Sequence, residues 1–572
     1  MILRALYDYY HRCDNLPAFG MELKQIGFLI VIDKDGKFLR IEDCRTGKNA
    51  AKEFLVKKSV GRSSNPIANY LYDNSEYVFG LSNKDKNNDL KNYNIFKQKI
   101  DSIFEKHSNN PTIKAVHEFY KNDHSAIIDS LKSDPLWDDV TKSLSKKYAL
   151  FSFRISGDSK IVAEHEELLP KDDSTNGSNN AICLVTGESC NPILTTAATM
   201  IPGSQASAKL VAFQVSSGYD SYGKSQGLNA PISPGAEFAY TTALNHLLRS
   251  NSHNKFSIGS RTYVFWASAN KEAQQQAEES LFAMLRFAEK TDNPNENIEK
   301  VRKVFQAIYT GNIATDLNDR FYILGLAPNT ARIAVAYWSE LPLKQFAGNI
   351  LQHFDDMEIA DTRKEKRPYT GLRDILSAVT LGGKQQDATP NLGDSIARSV
   401  FQAVPYPDTL FASCIRRIRA EQELTPFNNP CRIAILKAYL NRKYKENINT
   451  ITVMLDKENN NPGYLCGRLF AVLDKIQEEA NNINSIKERY INSASATPAA
   501  VFSTILNLSS HHAEKLSQGR KVHFEKLKQE IIDKISADGF PAHLQLQDQG
   551  RFFIGYYHQR QDFFKSKAEN NE

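Results

Sequence analysis

No Cys-x-x-Cys pair occurs in this 572-residue chain, although it holds seven cysteines. They stand apart, at Cys13, Cys44, Cys183, Cys190, Cys414, Cys431 and Cys466, and an odd count fits reduced thiols in a reducing compartment. Cys183 and Cys190 could clasp a metal, but no second Cys or His pair stands at zinc spacing, so neither metal nor cofactor is expected. No apolar run reaches the length that spans a bilayer. The opening MILRALYDYYHRCDN has apolar residues at helical spacing but carries charges throughout, and it lacks the apolar stretch of a signal peptide. A cytoplasmic location without a membrane partner is expected. His-Glu-x-x-His and Gly-x-Ser-x-Gly are missing, as is the His-Asp dipeptide of metal phosphohydrolases. His511, His512 and His558 read as packing or surface residues, because adjacent helical positions point about 100° apart.

With 41% hydrophobic and 24% charged residues, the chain can bury a sizeable core. Net charge is only +5, so its distribution matters more than its sum. Residues 361–453 hold 15 Lys and Arg against 9 Asp and Glu, whereas 454–572 are balanced at 15 of each. A local basic surface is the usual footprint of a phosphate-backbone ligand, and a solvated helical face is the plainer account.

Periodicity gives an α+β reading: mixed N-terminal and middle domains followed by an all-α C-terminal bundle. Residues 1–12, 91–107 and 112–121 predict helices. QIGFLIVID and KFLRIED predict a hairpin around Asp35-Gly36, a pair that tolerates the positive φ such turns require. KYALFSFRI (147–155) predicts a strand. The polar run 171–180 reads as a linker. Beyond it, 209–215, YVFWAS, RFYILGLA and TARIAVAYW predict strands, and 234–250, 270–290 and 295–310 predict helices. From about 345 the pattern is helical, with Leu465, Leu469, Val472 and Ile476 on one face. The expected domains are 1–175, 181–345 and 346–572.

Gly218, Gly223, Lys224 and Ser225 satisfy the P-loop pattern, but a P-loop needs a helix beginning at its Lys-Ser. Gly227, Pro231, Pro234 and Gly235 follow instead, and no strand ending in Asp stands downstream to hold magnesium, so an ATPase is rejected. What remains is a polar glycine-rich loop with Tyr222, Lys224, Gln226 and Asn229, groups suited to phosphates and base edges or, for Asn229, to capping a turn. A second polar loop spans 54–81. Lys57, Lys58 and Arg62 supply charge, Ser63, Ser64, Asn65, Asn69 and Asn74 supply compact donors and acceptors, and tyrosines are interleaved. Arg416, Arg417 and Arg419 share one helical turn and could track a phosphate backbone.

Eight runs in one order carry a resemblance: MILRALYDYY, GRSSNPIANYLYDNSEYVFGL, CLVTGE, SYGKSQGLNAPIS, EFAYTTALN, RFYILGLAPNTARIAV, YLCGRLFAVLDKIQ and GRFFIGYYHQRQ. Together they resemble the large subunit of the type I-C CRISPR surveillance complex (Cascade), from residue 1 to about 560. The chain departs from the family's L-H-P-x-I-K-G pattern at LTTAATMIPG (194–203), and Ala336 replaces a cation. The resemblance implies a non-catalytic subunit that recognises a protospacer-adjacent motif (PAM), helps open the duplex and holds the displaced strand. Implied partners are CRISPR RNA-bound backbone subunits, the subunit on the RNA end, a small helical subunit, double-stranded target DNA and a helicase-nuclease. On this reading the 57–74 loop lies nearest the PAM, with Asn69 and Asn74 at base edges and the 222–229 loop second. The family also makes its small subunit from an internal start, for which Met454 is the candidate. The alternatives are a metal-dependent nuclease, which needs a carboxylate cluster that the sequence does not display, and a scaffold that binds only protein.

Overall fold

Helix α1 (Ile2–Arg12) forms as its spacing predicts, burying Ala5, Leu6 and Tyr9. The computed structural model describes residues 2–47, 49–60, 66–82, 90–169, 181–199, 201–214, 218, 222–249, 251–285, 294–362, 371–389, 391–421, 430–444, 450–482 and 485–569. The chain divides into two units. The larger comprises Met1–Arg12, Leu194–Asn229 and Ala243–Glu572, and the smaller comprises Cys13–Ile193 and Ala230–Thr242.

The smaller unit contains β1 (Met21–Gln25), β2 (Phe28–Ile32), β3 (Phe38–Asp43), β4 (Arg45–Gly47), β5 (Ala50–Ala51), β6 (Glu53–Lys57) and β7 (Tyr72–Asn74). Helices α2 (Ser75–Val78), α3 (Lys91–Lys106), α4 (Pro111–Lys121), α5 (His124–Lys132) and α6 (Trp137–Ser143) follow, then β8 (Leu150–Ile155), β9 (Ala181–Ile182) and β10 (Ser189–Cys190). Its main sheet has the order β3-β2-β8-β7. β2 runs parallel to β8, and the other pairs are antiparallel. All five residues of β2 are buried, as a strand covered on both faces requires. The hairpin turns at Asp35-Gly36, with Gly36 at φ +81° and Asp33 Oδ1 accepting the Lys37 N–H at 2.8 Å. Helices α5 and α6 escaped the sequence reading; both are short, and α5 buries only Ile127, Ile128 and Leu131.

In the larger unit, α7 (Pro234–Leu247), which the two units share, precedes β11 (Lys255–Ile258) and β12 (Arg261–Ala267). Next come α8 (Glu272–Leu285), α9 (Pro294–Thr310), β13 (Arg320–Asn329) and β14 (Arg332–Pro342). The four strands form one antiparallel sheet in chain order. The strand expected over 209–215 does not form in its described part: only Lys209 bridges, to Arg332. Residues 210–214 remain at least partly exposed, so no packing rewards a ladder there.

Among the described residues only helices and loops follow: α10 (Leu343–Met357), α11 (Leu372–Val379), α12 (Leu392–Gln402), α13 (Asp408–Glu421), α14 (Pro430–Lys443), α15 (Pro462–Asn481), α16 (Ser485–Ala494), α17 (Pro498–Ala513), α18 (Gln518–Ile532) and α19 (Leu546–Glu569). The α+β class with a helical C-terminal region therefore stands. One apolar core runs from Phe256 and Tyr263 of the sheet to Phe552 and Tyr557 of α19. No helix among the described residues is long and apolar enough to cross a membrane.

Helices α15 and α19 meet backbone to backbone. A Cβ at Gly467 would strike the carbonyl oxygen of Phe552, one at Gly463 that of Asp548, and one at Gly555 that of Tyr464. The pair also buries polar groups. Arg468, fully buried, donates from Nε to Gln559 Oε1 and from Nη2 to Glu530 Oε1, each at 3.1 Å. The Tyr556 hydroxyl donates to Asp474 Oδ2 at 2.8 Å, and Arg560 Nη1 to Glu478 Oε2 at 2.6 Å. His558 Nδ1 shares a 2.9 Å hydrogen bond with the Tyr464 hydroxyl, and burial pushes its pKa down to about 3.

Gly467→Ala has no flexible side chain to displace, so the helices must separate. The substitution should cost roughly 3 kcal/mol. Gly519→Ala in α18, where a Cβ meets nothing, should be neutral or stabilise by about 0.5–1 kcal/mol. Urea midpoints of the two variants check this.

His558 supports a second prediction. The unfolded chain protonates this ring near pH 6.5 and the folded chain only near pH 3. Its contribution is complete above about pH 6.5 and is lost as pH falls toward 3, by up to about 1.4 kcal/mol per pH unit. His558→Gln should flatten the acid limb of a stability–pH profile over that window.

Candidate nucleic-acid interface

Strands β1 and β6 of the smaller unit pair antiparallel, with Met21 opposite Lys57 and Glu22 opposite Val56. The chain then leaves the sheet, and polar side chains take over its backbone groups. Lys58 N donates to Gly20 O at 2.8 Å, and Ser59 N to Glu22 Oε1 at 2.8 Å. Val60 N donates to Asn69 Oδ1 at 3.0 Å, so Asn69 closes the stem on the far side. Asn69 N reaches Asp73 Oδ2, and Asn74 N reaches Asp73 Oδ1, each at 2.8 Å.

Glu22 is the hub of this stem. It also accepts from Ser59 Oγ and, at 3.1 Å, from the Tyr72 hydroxyl, and Lys24 Nζ lies 3.3 Å away. Burial pushes its carboxyl up, but Lys24 and the donors of Ser59 outweigh burial and hold it below the ordinary carboxylate value. A cleft of about 460 Å³ opens beside the stem, lined by Lys24, Gln25, Ser59, Val60, Asn69, Asp73, Lys147 and Leu150. The sequence reading missed Lys24, Gln25 and Lys147; the only sequence signal was a cation at the end of β1 and another just before β8.

The proposed residues of this loop fare differently. Lys57 is half-buried at the end of β6. Lys58 lies 4.0 Å from Glu237 and over the Phe238 ring. Asn69 is buried. Asn74 caps α2, its Oδ1 accepting from Glu76 N at 3.1 Å and Tyr77 N at 3.3 Å. Arg62, Ser63, Ser64 and Asn65 lie outside the described residues.

The second loop belongs to the larger unit. Tyr222 is 99% exposed and adopts φ +52°, while Lys224 is exposed. No α-helix begins at Lys224-Ser225; a 3₁₀ turn over Gln226–Asn229 comes next, and α7 starts only at Pro234. Gln226 lies within that turn at φ +48°, and Asn229 closes it, donating from Nδ2 to Lys224 O at 3.2 Å and to Gln226 O at 3.0 Å.

The third candidate is α13 of the same unit. Arg416 is exposed. Arg417 pairs with Glu421 one turn later. Arg419 spans to Gln549 Oε1 and Asn492 O, each at 3.2 Å. Among the described residues, no group of three or more His, Cys, Asp or Glu side chains is placed to hold a metal ion.

No curated protein matches the chain. A family model described as CRISPR-associated protein (Cas_Csd1) matches residues 6–564, nearly the whole length and in agreement with the resemblance to the type I-C large subunit. A match of that extent makes the chain a member of the Csd1 family of CRISPR-associated proteins.

Proposed function

We propose that this chain is the non-catalytic large subunit of a type I-C CRISPR RNA-guided surveillance complex, working in the cytoplasm. It recognises a PAM, aids duplex opening, stabilises the R-loop and recruits the helicase-nuclease. Its neighbours are the RNA-bound backbone subunits, the subunit on the RNA end and a small helical subunit. The observation that carries this reading is the cleft beside the 57–74 stem. Lys147 is exposed at its rim, Lys24 and Asn69 line it, and Gln25 and Ser59 add donors. A cation with amide and hydroxyl donors suits a phosphate and the base edge next to it. Guide pairing reads the rest of the target, so the protein needs only a short direct contact. Tyr222 offers a face on which a base of the displaced strand can stack.

We also propose that Met454 starts a separate small subunit. Met454 is half exposed and precedes α15. Residues 454–572 hold both members of the α15–α19 pair that meets backbone to backbone. A fragment starting there loses what earlier residues supply to it: Thr362 donating to Gln561, Arg419 to Gln549, and Ala360 O accepting from the Tyr557 hydroxyl.

Titrating the assembled complex with labelled duplexes, with and without the PAM, tests the site. Replacing Asn69 and Asn74 by Ala should cut PAM discrimination about tenfold. Lys147→Ala should weaken both duplexes alike and lower the salt slope by about one. Undiminished discrimination in the folded double variant removes the assignment. The isolated chain should leave DNA uncut with magnesium or manganese, and cutting would return the nuclease reading.

Intact mass analysis of the purified complex tests the second product. It should show a short chain beginning at or beside Met454, and full-length chain alone would defeat the proposal.

A further inference from the structure

Cys183 and Cys190 come together on one face of a short hairpin in the smaller unit. In the β9–β10 register Cys190 stands opposite Ala181. Cys183 lies two residues beyond Ala181, so all three side chains point to the same side. The ladder continues past the strands, with Cys183 N donating to Glu188 O at 2.8 Å, and Gly187 N closes the turn on Cys183 O at 2.8 Å. The Cys183 and Cys190 side chains are thus diagonal neighbours on that face.

Cys183 Sγ is surrounded by donors. Ser233 N reaches it at 3.3 Å, and the backbone and side chain of Thr186 reach it from the turn. Burial pushes this thiol up, but the donors outweigh burial and bring it down to about 7. Burial raises Cys190, and it drives Cys414 and Cys466 up to about 12. Cys183 is therefore poised to ionise, with a protonated thiol beside it, whereas burial keeps Cys414 and Cys466 protonated. No third ligating group joins them among the described residues, so a metal has too few ligands.

We propose that Cys183 and Cys190 form a reversible-oxidation site that closes to a disulfide when a hydroperoxide reaches the hairpin. The Cys183 thiolate attacks one peroxide oxygen. The O–O bond breaks, and the leaving oxygen takes a proton, giving a sulfenic acid on Cys183. Cys190 sulfur then attacks Cys183 sulfur, the S–O bond breaks, and the departing hydroxide takes the Cys190 proton. Two thiols and one hydrogen peroxide give one disulfide and two waters, a two-electron exchange. Cys183 is only 1% exposed, but each strand has two ladder residues, so opening the hairpin costs little. Oxidation also weakens the sulfur as acceptor for Ser233 N, the residue before α7. It thereby loosens a tie between the hairpin and that helix.

The test treats the full-length chain with hydrogen peroxide, blocks remaining thiols with N-ethylmaleimide and maps the peptides by mass. Cys183 and Cys190 should lose alkylation together, linked to each other, at peroxide about tenfold below that affecting Cys414 or Cys466. Dithiothreitol should restore both. In Cys190→Ser, a 1,3-dione should trap sulfenic acid at Cys183. If that variant does not fold, as judged by circular dichroism, wild-type mapping alone decides. Retained alkylation at both cysteines, or oxidation of Cys183 to the sulfinic acid without the crosslink, overturns the proposal.

Discussion

The helical third of this protein depends on carbonyl oxygens occupying space that side chains normally fill. Phe552 O, Asp548 O and Tyr464 O lie where Cβ atoms of Gly467, Gly463 and Gly555 would be. That spacing brings α15 and α19 close enough to bury the polar run His558–Gln561 with Arg468 and Asp474. A buried charge without a partner costs several kcal/mol, so the close approach is tolerable only because these groups meet one another. Arg468 finds Gln559 and Glu530, and Asp474 finds Tyr556. Glycine sets the distance and the polar pairs fix the register. A slide by one turn would bring apolar groups against the arginine.

The candidate interface is built on the opposite principle. Its loops have little apolar surface to bury, so side-chain carboxylates and amides hold their backbones. Glu22 and Asn69 grip the stem at Ser59 and Val60, and Asn229 closes the turn that follows Tyr222. A loop held this way keeps its exposed face polar, which a ligand with a phosphate backbone requires. Asn69 and Asn74 therefore hold the loop through their oxygens.

Much of the fold was legible because it follows from periodicity. The β2–β3 hairpin, β8, the β13–β14 pair and the apolar face of α15 each carry a pattern that one secondary structure alone can bury. The strand expected at 209–215 failed because alternation is only half a strand, and the other half is a partner. The candidate loops could be located by composition. The cleft could not, since Lys24 and Lys147 are far apart in sequence and line it together only because β8 packs parallel on β2, the strand that follows β1. The hub role of Glu22 was equally hidden, because nothing local marks a strand carboxylate as a loop anchor.

A count of charges does not say which of them face water. The excess of Lys and Arg in 361–453 reads as a basic surface, yet much of its described part is buried or paired with carboxylates. Arg432 and Arg417 converge on Glu421, Arg442 pairs with Asp356, and Lys443 pairs with Asp408. Lys437 is buried and donates to Asp355 O at 3.1 Å. A cation already neutralised by a carboxylate releases few counterions when a phosphate approaches, so it adds little to nucleic-acid affinity. By that measure Arg416 is the member of the arginine triplet best placed to meet a backbone. Lys147 and Lys224, exposed beside polar loops, outweigh a larger number of paired arginines, because affinity for phosphate follows the charge that water can still reach.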